Sequence, residues 1–242
     1  SDLKYVIQQF KAEGITDLIL DLRFNNGGSV ELARYLAASI AGTSHRSDVF
    51  MKMQRSSGAD EYIRFGDGDD LNLNSVRIIC SEETASASEL IINGLRGIDF
   101  PVKLFGSRTE GKNVGMEVQE YKYGNKYYEF APITFRSFNA KDWGDYADGI
   151  DPDVMLNNQN SSYEDDIDNV FPYAFGDWDN FDFNYPLYWA LCDVQGVDPT
   201  TGEPVKRSGR SGMTRSQQDE IIRVPSVPLK RQIGRASCRE RV

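Results

Sequence analysis

The sequence predicts an α/β fold that carries an antiparallel hairpin extension, and three observations support this. Short apolar runs typical of buried strands alternate with segments of helical periodicity between residues 3 and 106. Three of these strands end in polar or glycine-rich turns, which a sheet of this kind gathers at one edge. Further along, apolar and polar residues alternate with a period of two before Gly124-Asn125, a typical hairpin turn, and one strand is predicted to return from 127 to 135.

The elements before residue 75 follow from periodicity and from helix-ending glycines. Leu32, Leu36 and Ile40 lie at steps of four and indicate one buried helical face. Weaker patterns indicate short strands at 49–51 and 62–65, followed by a solvated loop at 66–70. In chain order, the stronger elements are a helix at 3–13, a strand at 18–22, a turn at 23–28 and a helix at 29–41.

A strand–helix–strand unit at 76–106 is the centre of the prediction. The strand 76–80 is followed by a helix whose apolar residues, Leu90, Ile91, Leu95 and Ile98, share one face. Ser86 therefore lies where the strand ends and the helix begins. Unpaired N–H groups and the helix dipole favour negative charge there, so the position suits a serine nucleophile as well as an ordinary helix cap.

Composition and charge exclude several classes of function. The chain of 242 residues is long enough for one or two domains, and it has no apolar run long enough to span a membrane. Residues 1–205 carry 17 basic and 34 acidic side chains, whereas 206–242 carry 10 and 3. An acidic body is not expected to bind nucleic acid, and the basic tail is interpreted as disordered or foreign.

Cysteine and histidine indicate neither a metal site nor another cofactor. Cys80 ends a buried strand, Cys192 lies in an aromatic segment and Cys238 lies in the tail. Their spacing matches no metal-ligand pattern, and His45 is the single histidine of the chain.

The domain organisation is predicted from shifts in composition. Residues 1–155 form the core, and 156–198 form an acidic, aromatic-rich extension that we expect to pack as an irregular layer or to bind sugars or peptides. Residues 199–230 are predicted to be a flexible linker. Residues 231–242 resemble the translation of a common sequencing adapter. Because the chain opens inside a helical pattern, we expect it to be cut from a longer protein.

Four segments of the chain carry motifs: Leu20–Gly28, Thr84–Glu89, Gly106–Lys112 and Gly149–Asp153. Together they resemble the C-terminal processing, or tail-specific, serine peptidases, which have a ClpP/crotonase-like fold. They occur in that family's order and at about its spacing. The form Gly-Lys-Asn-Val-Gly is most similar to Bacteroidetes-type members. The resemblance implies a polypeptide substrate and a cell-envelope location, with a PDZ domain or a lipid anchor in an N-terminal part that this chain lacks.

The resemblance makes Ser86 the nucleophile and Lys112 the general base. An uncharged lysine amine can take the serine proton where the matched segments offer no histidine, and desolvation favours the uncharged form. Outside such a site, a lysine in a turn is usually a surface residue. Family members often have a glutamine four residues after the lysine. Here that position is Met116, and the next glutamine, Gln119, follows three residues later. Gln119 is therefore a candidate supporting residue for Lys112.

The oxyanion that forms in such a reaction needs backbone donors. The expected donors are the N–H group of Ala87 and that of Gly27 or Gly28, although a Gly-Gly pair can also be an ordinary turn. Glu89 is expected to stabilise the start of the helix through the dipole. Arg23 is expected to pair with a carboxylate such as Asp21 rather than to act in catalysis.

Two other functions remain open from the sequence. The same fold resembles retinoid-binding repeats, which hold apolar ligands without hydrolysis, and the aromatic residues at 171–189 could line such a site. A crotonase-type acyl-CoA enzyme is the third possibility, although the sequence shows no feature suited to the phosphates of CoA. The presence of both Ser86 and Lys112 favours the peptidase.

Overall fold

The computed structural model describes residues 2–56, 58–156 and 185–205 of the chain. The described residues divide between two compact units, with 2–156 in the first and 185–205 in the second. The predicted linker beyond residue 205 and the adapter-like residues 231–242 lie outside the described residues, as does most of the aromatic segment. The first unit has the α/β fold that the sequence predicts.

A parallel sheet lies at the centre of the first unit. Its four strands, in the order β1-β4-β5-β10, are β1 (Leu18–Asp21), β4 (Val76–Cys80), β5 (Val102–Gly106) and β10 (Val154–Met155). The central strand β4 is buried at Val76, Ile78, Ile79 and Cys80, which explains its continuous apolar run. The predicted strands at 18–22, 76–80 and 102–106 are thereby confirmed, the first with one residue fewer.

Three helices accompany this sheet, and each begins near a predicted boundary. They are α1 (Asp2–Glu13), α2 (Val30–Ala41) and α3 (Ala87–Gly97). The Ser29 hydroxyl caps α2 by accepting the N–H of Leu32, and Gly42 ends it with a positive φ. Helices α2 and α3 contact each other, and their apolar faces contribute to the core.

A second, antiparallel sheet contacts α3. Its strands, in the order β3-β2-β9-β6, are β2 (Val49–Arg55), β3 (Glu61–Arg64), β6 (Val114–Met116) and β9 (Ile133–Phe138). Phe50 of β2 lies against Gly94 of α3, where a Cβ atom would come within 2.6 Å of the ring. This close approach packs α3 against the antiparallel sheet.

The predicted hairpin is confirmed. Strands β7 (Gln119–Tyr123) and β8 (Lys126–Phe130) pair across the Gly124-Asn125 turn, and Gly124 has a φ of +61°. The sequence predicts one returning strand from 127 to 135, but the structure divides it into β8 and β9. Pro132 lies in the interruption and has no N–H group to donate to a ladder.

The second unit contains the helix α4 (Tyr185–Gln195). This differs from the irregular layer expected for the aromatic segment. Pro186 lies in the first turn, where proline is tolerated, and Ala190 and Cys192 are buried. After it, an isolated bridge joins Val197 to Pro204, where the sequence suggests the start of a linker. In the described part of the chain, none of the helices has both the length and the apolar character needed to cross a bilayer.

Candidate active site

Ser86 occupies the corner between β4 and α3, as the sequence predicts. Its backbone has φ 54° and ψ −116°, a conformation that residues with side chains rarely adopt. Such a conformation costs about 1–3 kcal/mol and persists only where the surrounding structure holds it. The corner is therefore maintained by its neighbours.

Lys112 lies on the turn between β5 and β6, directly after Gly111, which has a φ of +95°. Ser86 and Lys112 line the same small cavity, of about 20 Å³, which has room for a group the size of a water molecule. The other residues that line this cavity are mostly apolar: Val30, Leu90, Val114, Gly115, Phe135 and Ser137. Both Ser86 and Lys112 are half-buried.

The carboxylate of Glu89 connects the two turns. Its Oε2 atom accepts the backbone N–H of Ser86 at 2.9 Å and that of Lys112 at 2.8 Å. Its Oε1 atom accepts the Thr109 hydroxyl at 2.6 Å and the N–H of Gly111 at 2.8 Å. The side chain is fully buried, so one carboxylate fixes the position of the serine corner relative to the lysine turn.

Two opposing effects act on the ionisation of Glu89. Burial raises the pKa of Glu89 above its ordinary value, while the hydrogen bonds from Thr109, Gly111, Ser86 and Lys112 lower it. The three backbone N–H groups can only donate, and the hydroxyl donates in this geometry. An ionised carboxylate, which only accepts, is the form that satisfies all four.

Thr109 joins the fourth matched segment to this network. Its hydroxyl accepts the N–H of Ile150 at 2.7 Å while it donates to Glu89. Gly149 lies so close that a Cβ atom would come within 2.2 Å of the Thr109 carbonyl oxygen. The segment around Gly149 therefore packs against Thr109 in the turn that precedes Lys112, although it lies about forty residues later in the chain.

The glycine-rich turn after β1 lies against the serine corner. Asn25 accepts the Ser88 hydroxyl at 2.9 Å through Oδ1, and its backbone oxygen accepts the N–H of Ala85 at 3.1 Å. Gly27 has a φ of +100°, and a Cβ atom there would lie 2.7 Å from the backbone nitrogen of Ala87. Only glycine fits this approach without displacing the corner.

The three candidate oxyanion donors differ in whether their N–H groups already donate a hydrogen bond within the protein. The N–H of Gly27 donates to Asn25 Oδ1 at 3.0 Å. The structure shows no hydrogen bond from the N–H groups of Ala87 and Gly28 to any described residue. The N–H groups of Ala87 and Gly28 are thus the candidates that can donate to an oxyanion.

Arg23 pairs with Asp21, as expected from the sequence. The guanidinium contacts both carboxylate oxygens, with a shortest separation of 2.6 Å, and the Arg23 side chain is almost entirely buried. Gln119 has a different location from the site: it is exposed on β7 and does not line the cavity.

Sequence reasoning missed four residues of this region or the full extent of their roles: Asn25, Glu89, Thr109 and Ser137. Ser137 lines the cavity, and its hydroxyl contacts the hydroxyl of Tyr146 at 2.8 Å. Burial raises the pKa of Tyr146 to about 12. For Glu89 a signal existed, because Ser-x-x-Glu at a helix start is the pattern of a capping box. The contacts of the other three depend on partners distant in sequence.

The parallel sheet, α3 and the antiparallel sheet together define an α/β protein with a serine and a lysine at one cavity. Residues 1–156 match the model of peptidase family S41, and the chain belongs to this family. The resemblance noted from the sequence is thereby confirmed.

Two similar proteins are named "Probable CtpA-like serine protease". The one from Staphylococcus haemolyticus is 26% identical over 158 residues, covering 64% of this chain and 30% of that protein. The one from Staphylococcus aureus strain bovine RF122 is 26% identical over 181 residues, covering 74% of this chain and 35% of that protein. The chain thus spans about a third of the length of these curated relatives.

Solved structures show the same fold. A structure named "Putative S41 protease from Bacteroides fragilis NCTC 9343" is 22% identical with a TM-score of 0.64, and the match covers 81% of this chain and 49% of that one. A photosystem II D1 C-terminal processing protease is 24% identical with a TM-score of 0.50, covering 62% and 38% of the two chains. The α/β fold with its antiparallel extension is therefore that of S41 peptidases.

Proposed function

We propose that this chain contains the catalytic core of a serine endopeptidase that cleaves polypeptides. The observation that carries the proposal is the shared cavity of Ser86 and Lys112, whose backbones are held by one buried carboxylate. The relatives named as CtpA-like serine proteases support it. The cell-envelope location stays a prediction from the family resemblance.

In the proposed mechanism, the uncharged amine of Lys112 takes the proton of the Ser86 hydroxyl. The Ser86 oxygen forms a bond to the carbonyl carbon of the scissile peptide, and the amide nitrogen leaves after it gains a proton from Lys112. Water then hydrolyses the resulting ester and restores Ser86. Among the described residues, the half-buried Lys112 forms no ion pair with a carboxylate.

The negative charge on the carbonyl oxygen needs donors during this step. We assign this role to the N–H groups of Ala87 and Gly28. Ala87 N–H points from the first turn of α3, where the helix dipole also favours negative charge. Gly27 supports the arrangement through its contact with the corner, since its own N–H is engaged by Asn25.

The experiment compares Ser86→Ala and Lys112→Ala with the unchanged protein in the cleavage of an unfolded polypeptide. Each change is expected to lower kcat/KM by about 10⁴-fold or more, because the two residues act as one unit. Lys4→Ala, which replaces an exposed lysine of α1, is the matched control and is expected to leave the rate unchanged. Cleavage at the original rate by either variant would contradict the mechanism.

Active-site titration distinguishes the peptidase from a ligand-binding module of the same fold. With an activated ester substrate, whose acyl-enzyme forms faster than it hydrolyses, a peptidase of this kind releases a burst of the first product about equal to the enzyme concentration. Saturable binding of an apolar ligand, with no burst and no turnover, would support the binding module instead.

A further inference from the structure

The hairpin of β7 and β8 has two chemically different faces. Cross-strand pairing places Tyr121 opposite Tyr128, Gln119 opposite Phe130 and Tyr123 opposite Lys126, so these six residues share one face. The other face carries Glu120, Lys122, Tyr127 and Glu129, with the ammonium of Lys122 over the ring of Tyr127. The first face is aromatic and the second is mostly charged.

The aromatic face is exposed in the described part of the chain. The exposed fractions of Tyr121, Tyr123, Tyr128 and Phe130 are 59%, 71%, 42% and 57%. An antiparallel sheet with one apolar face normally packs that face on a core, and an isolated two-stranded hairpin is barely stable in water. Four aromatic residues on one face of such a hairpin therefore indicate a surface for binding.

The size of this face argues against a stable dimer. With about 200 Å² for each aromatic residue, the exposed aromatic area is roughly 450 Å². That is large for a surface patch of a monomer, where patches of this size are often functional. Two copies packed face to face would bury roughly 900 Å², less than the roughly 1,200 Å² of stable interfaces. The face fits a weaker and more extended partner.

The hairpin is continuous with the strands that line the cavity. Val114 and Gly115 of β6 and Phe135 of β9 line the cavity with Ser86 and Lys112. Strand β6 leads into β7 and β8 leads into β9, and the N–H of Glu117 donates to the Pro132 oxygen at the junction. Tyr121 comes nine residues after Lys112, at most about 30 Å along an extended strand.

We propose that the aromatic face of the hairpin binds extended, unfolded segments of the polypeptide substrate outside the cleavage site. This inference rests on the proposed peptidase function. Tyrosine and phenylalanine offer large contact areas with little loss of side-chain freedom, and tyrosine adds a hydroxyl for backbone groups of the substrate. A long chain can occupy the cavity and this face together, whereas a tetrapeptide in the cavity cannot reach the face.

The test uses a variant in which Tyr121, Tyr123, Tyr128 and Phe130 are each changed to Thr, which retains a preference for strands. Binding of fluorescent, reduced and carboxymethylated α-lactalbumin is measured by anisotropy with Ser86→Ala present in every protein. The dissociation constant is expected to rise about tenfold or more. The matched control changes Glu120, Lys122 and Glu129 of the other face to Gln, and is expected to bind as before.

Kinetics with Ser86 intact provide the second measurement. The four-Thr variant is expected to have a KM about tenfold higher for the long polypeptide, with kcat unchanged, and an unchanged kcat/KM for a fluorogenic tetrapeptide. Tyr123→Thr alone, near the hairpin turn, is expected to give a smaller rise, and it keeps the test valid if the four-Thr hairpin does not form.

Three results would overturn the inference. One is unchanged polypeptide binding in both Thr variants. Another is an equal loss of activity on the tetrapeptide, which would make the face part of the cleavage site. The third is a sedimentation-detected dimer that the Thr changes abolish while polypeptide binding stays the same, since a second copy would then occupy the face. Binding with Ser86→Ala is independent of turnover, so a failed peptidase assay would not be confused with a failed inference.

Discussion

Oε2 of Glu89 lies 2.8 Å from the backbone nitrogen of Lys112, which is 23 residues further along the chain. The same oxygen accepts the N–H of Ser86. The backbones of the proposed base and of the proposed nucleophile are therefore hydrogen-bonded to one atom. A buried carboxylate with four donors is rigid, because loss of any one hydrogen bond leaves a buried polar group unpaired. This relationship makes Glu89 the first target for mutation.

Glu89→Gln is expected to lower both activity and stability. The glutamine side chain has nearly the same shape, but its NH₂ group takes the place of one carboxylate oxygen. In either orientation this group, which can only donate, faces two groups that donate to Glu89. We expect a loss of about 2 kcal/mol in the free energy of unfolding and a fall of at least about tenfold in kcat/KM. Chemical denaturation and peptide cleavage measure the two effects. Glu82→Gln, at an exposed glutamate before the corner, should change neither, and equal behaviour of the two variants would contradict the prediction.

Gly27→Ala is expected to displace the serine corner. The added Cβ atom would lie 2.8 Å or less from backbone atoms of Ala85 and Ala87. Backbone atoms, unlike the end of a flexible side chain, cannot move aside without displacing the corner. Gly58→Ala is a matched control, because Gly58 has the same φ of +100° but open space around it. Backbone strain should lower the free energy of unfolding of both variants by about 1–2 kcal/mol. Only Gly27→Ala should also lower kcat/KM, by about 100-fold. A similar loss from both changes would show that strain alone is responsible.

Asp21→Asn is expected to destabilise the protein by about 2 kcal/mol. Arg23 is almost entirely buried, and neutralising Asp21 weakens an ion pair that compensates the charge of Arg23. Asp151→Asn tests the same chemistry at the surface, since the Arg108–Asp151 pair is more than half exposed and should contribute no more than about 1 kcal/mol. Urea denaturation gives both values. A larger effect at Asp151 than at Asp21 would be incompatible with this account.

Cys80 is expected to resist alkylation at pH 8 while the protein is folded. Burial raises the pKa of its thiol to about 12, from an ordinary value of 9.0, so the thiolate is scarce. The pH dependence of stability has a matching sign. Because the unfolded thiol ionises first, its contribution to stability falls as pH rises from 9 toward 12, by at most about 1.4 kcal/mol per pH unit.

Iodoacetamide labelling followed by peptide mass analysis tests this prediction. Unfolding in urea should expose Cys80 and restore rapid labelling, which is the internal control. Cys80→Ala should show less loss of stability between pH 9 and 12 than the unchanged protein. Rapid labelling of native Cys80 at pH 8 would rule out the burial described here.

The elements most reliably predicted from sequence are those whose pattern is local. The run 76–80 is apolar on both faces because β4 is central, and α3 repeats its apolar residues at helical spacing. The division of the segment 127–135 into β8 and β9 does not follow from alternation, and the helix α4 does not follow from aromatic content. Pro132 and Pro186 are the local signals of the interruption and of the helix start.

The candidate site was predicted in part. The strand ends predict that Ser86, Lys112 and the glycine turn lie at one edge of the sheet, and the family resemblance implies their roles. The structure places Ser86 and Lys112 at one cavity. The family resemblance makes Gln119 a candidate supporting residue, and the structure places it exposed on β7. The sequence does not show that β6 ends at Met116 and that Gln119 begins a separate strand, because this depends on pairing with β9 and β8.

The sequence by itself determined the α/β core, the corner at Ser86 and the family resemblance, because each depends on residue types at short, fixed spacing. Only the tertiary structure decided that one carboxylate joins the turns of Ser86 and Lys112, that Thr109 is held by Ile150, and that the hairpin leaves an aromatic face exposed. The reason is physical. Hydrogen bonds between distant turns and the exposure of a sheet face depend on how packed elements meet in space, which no local pattern encodes.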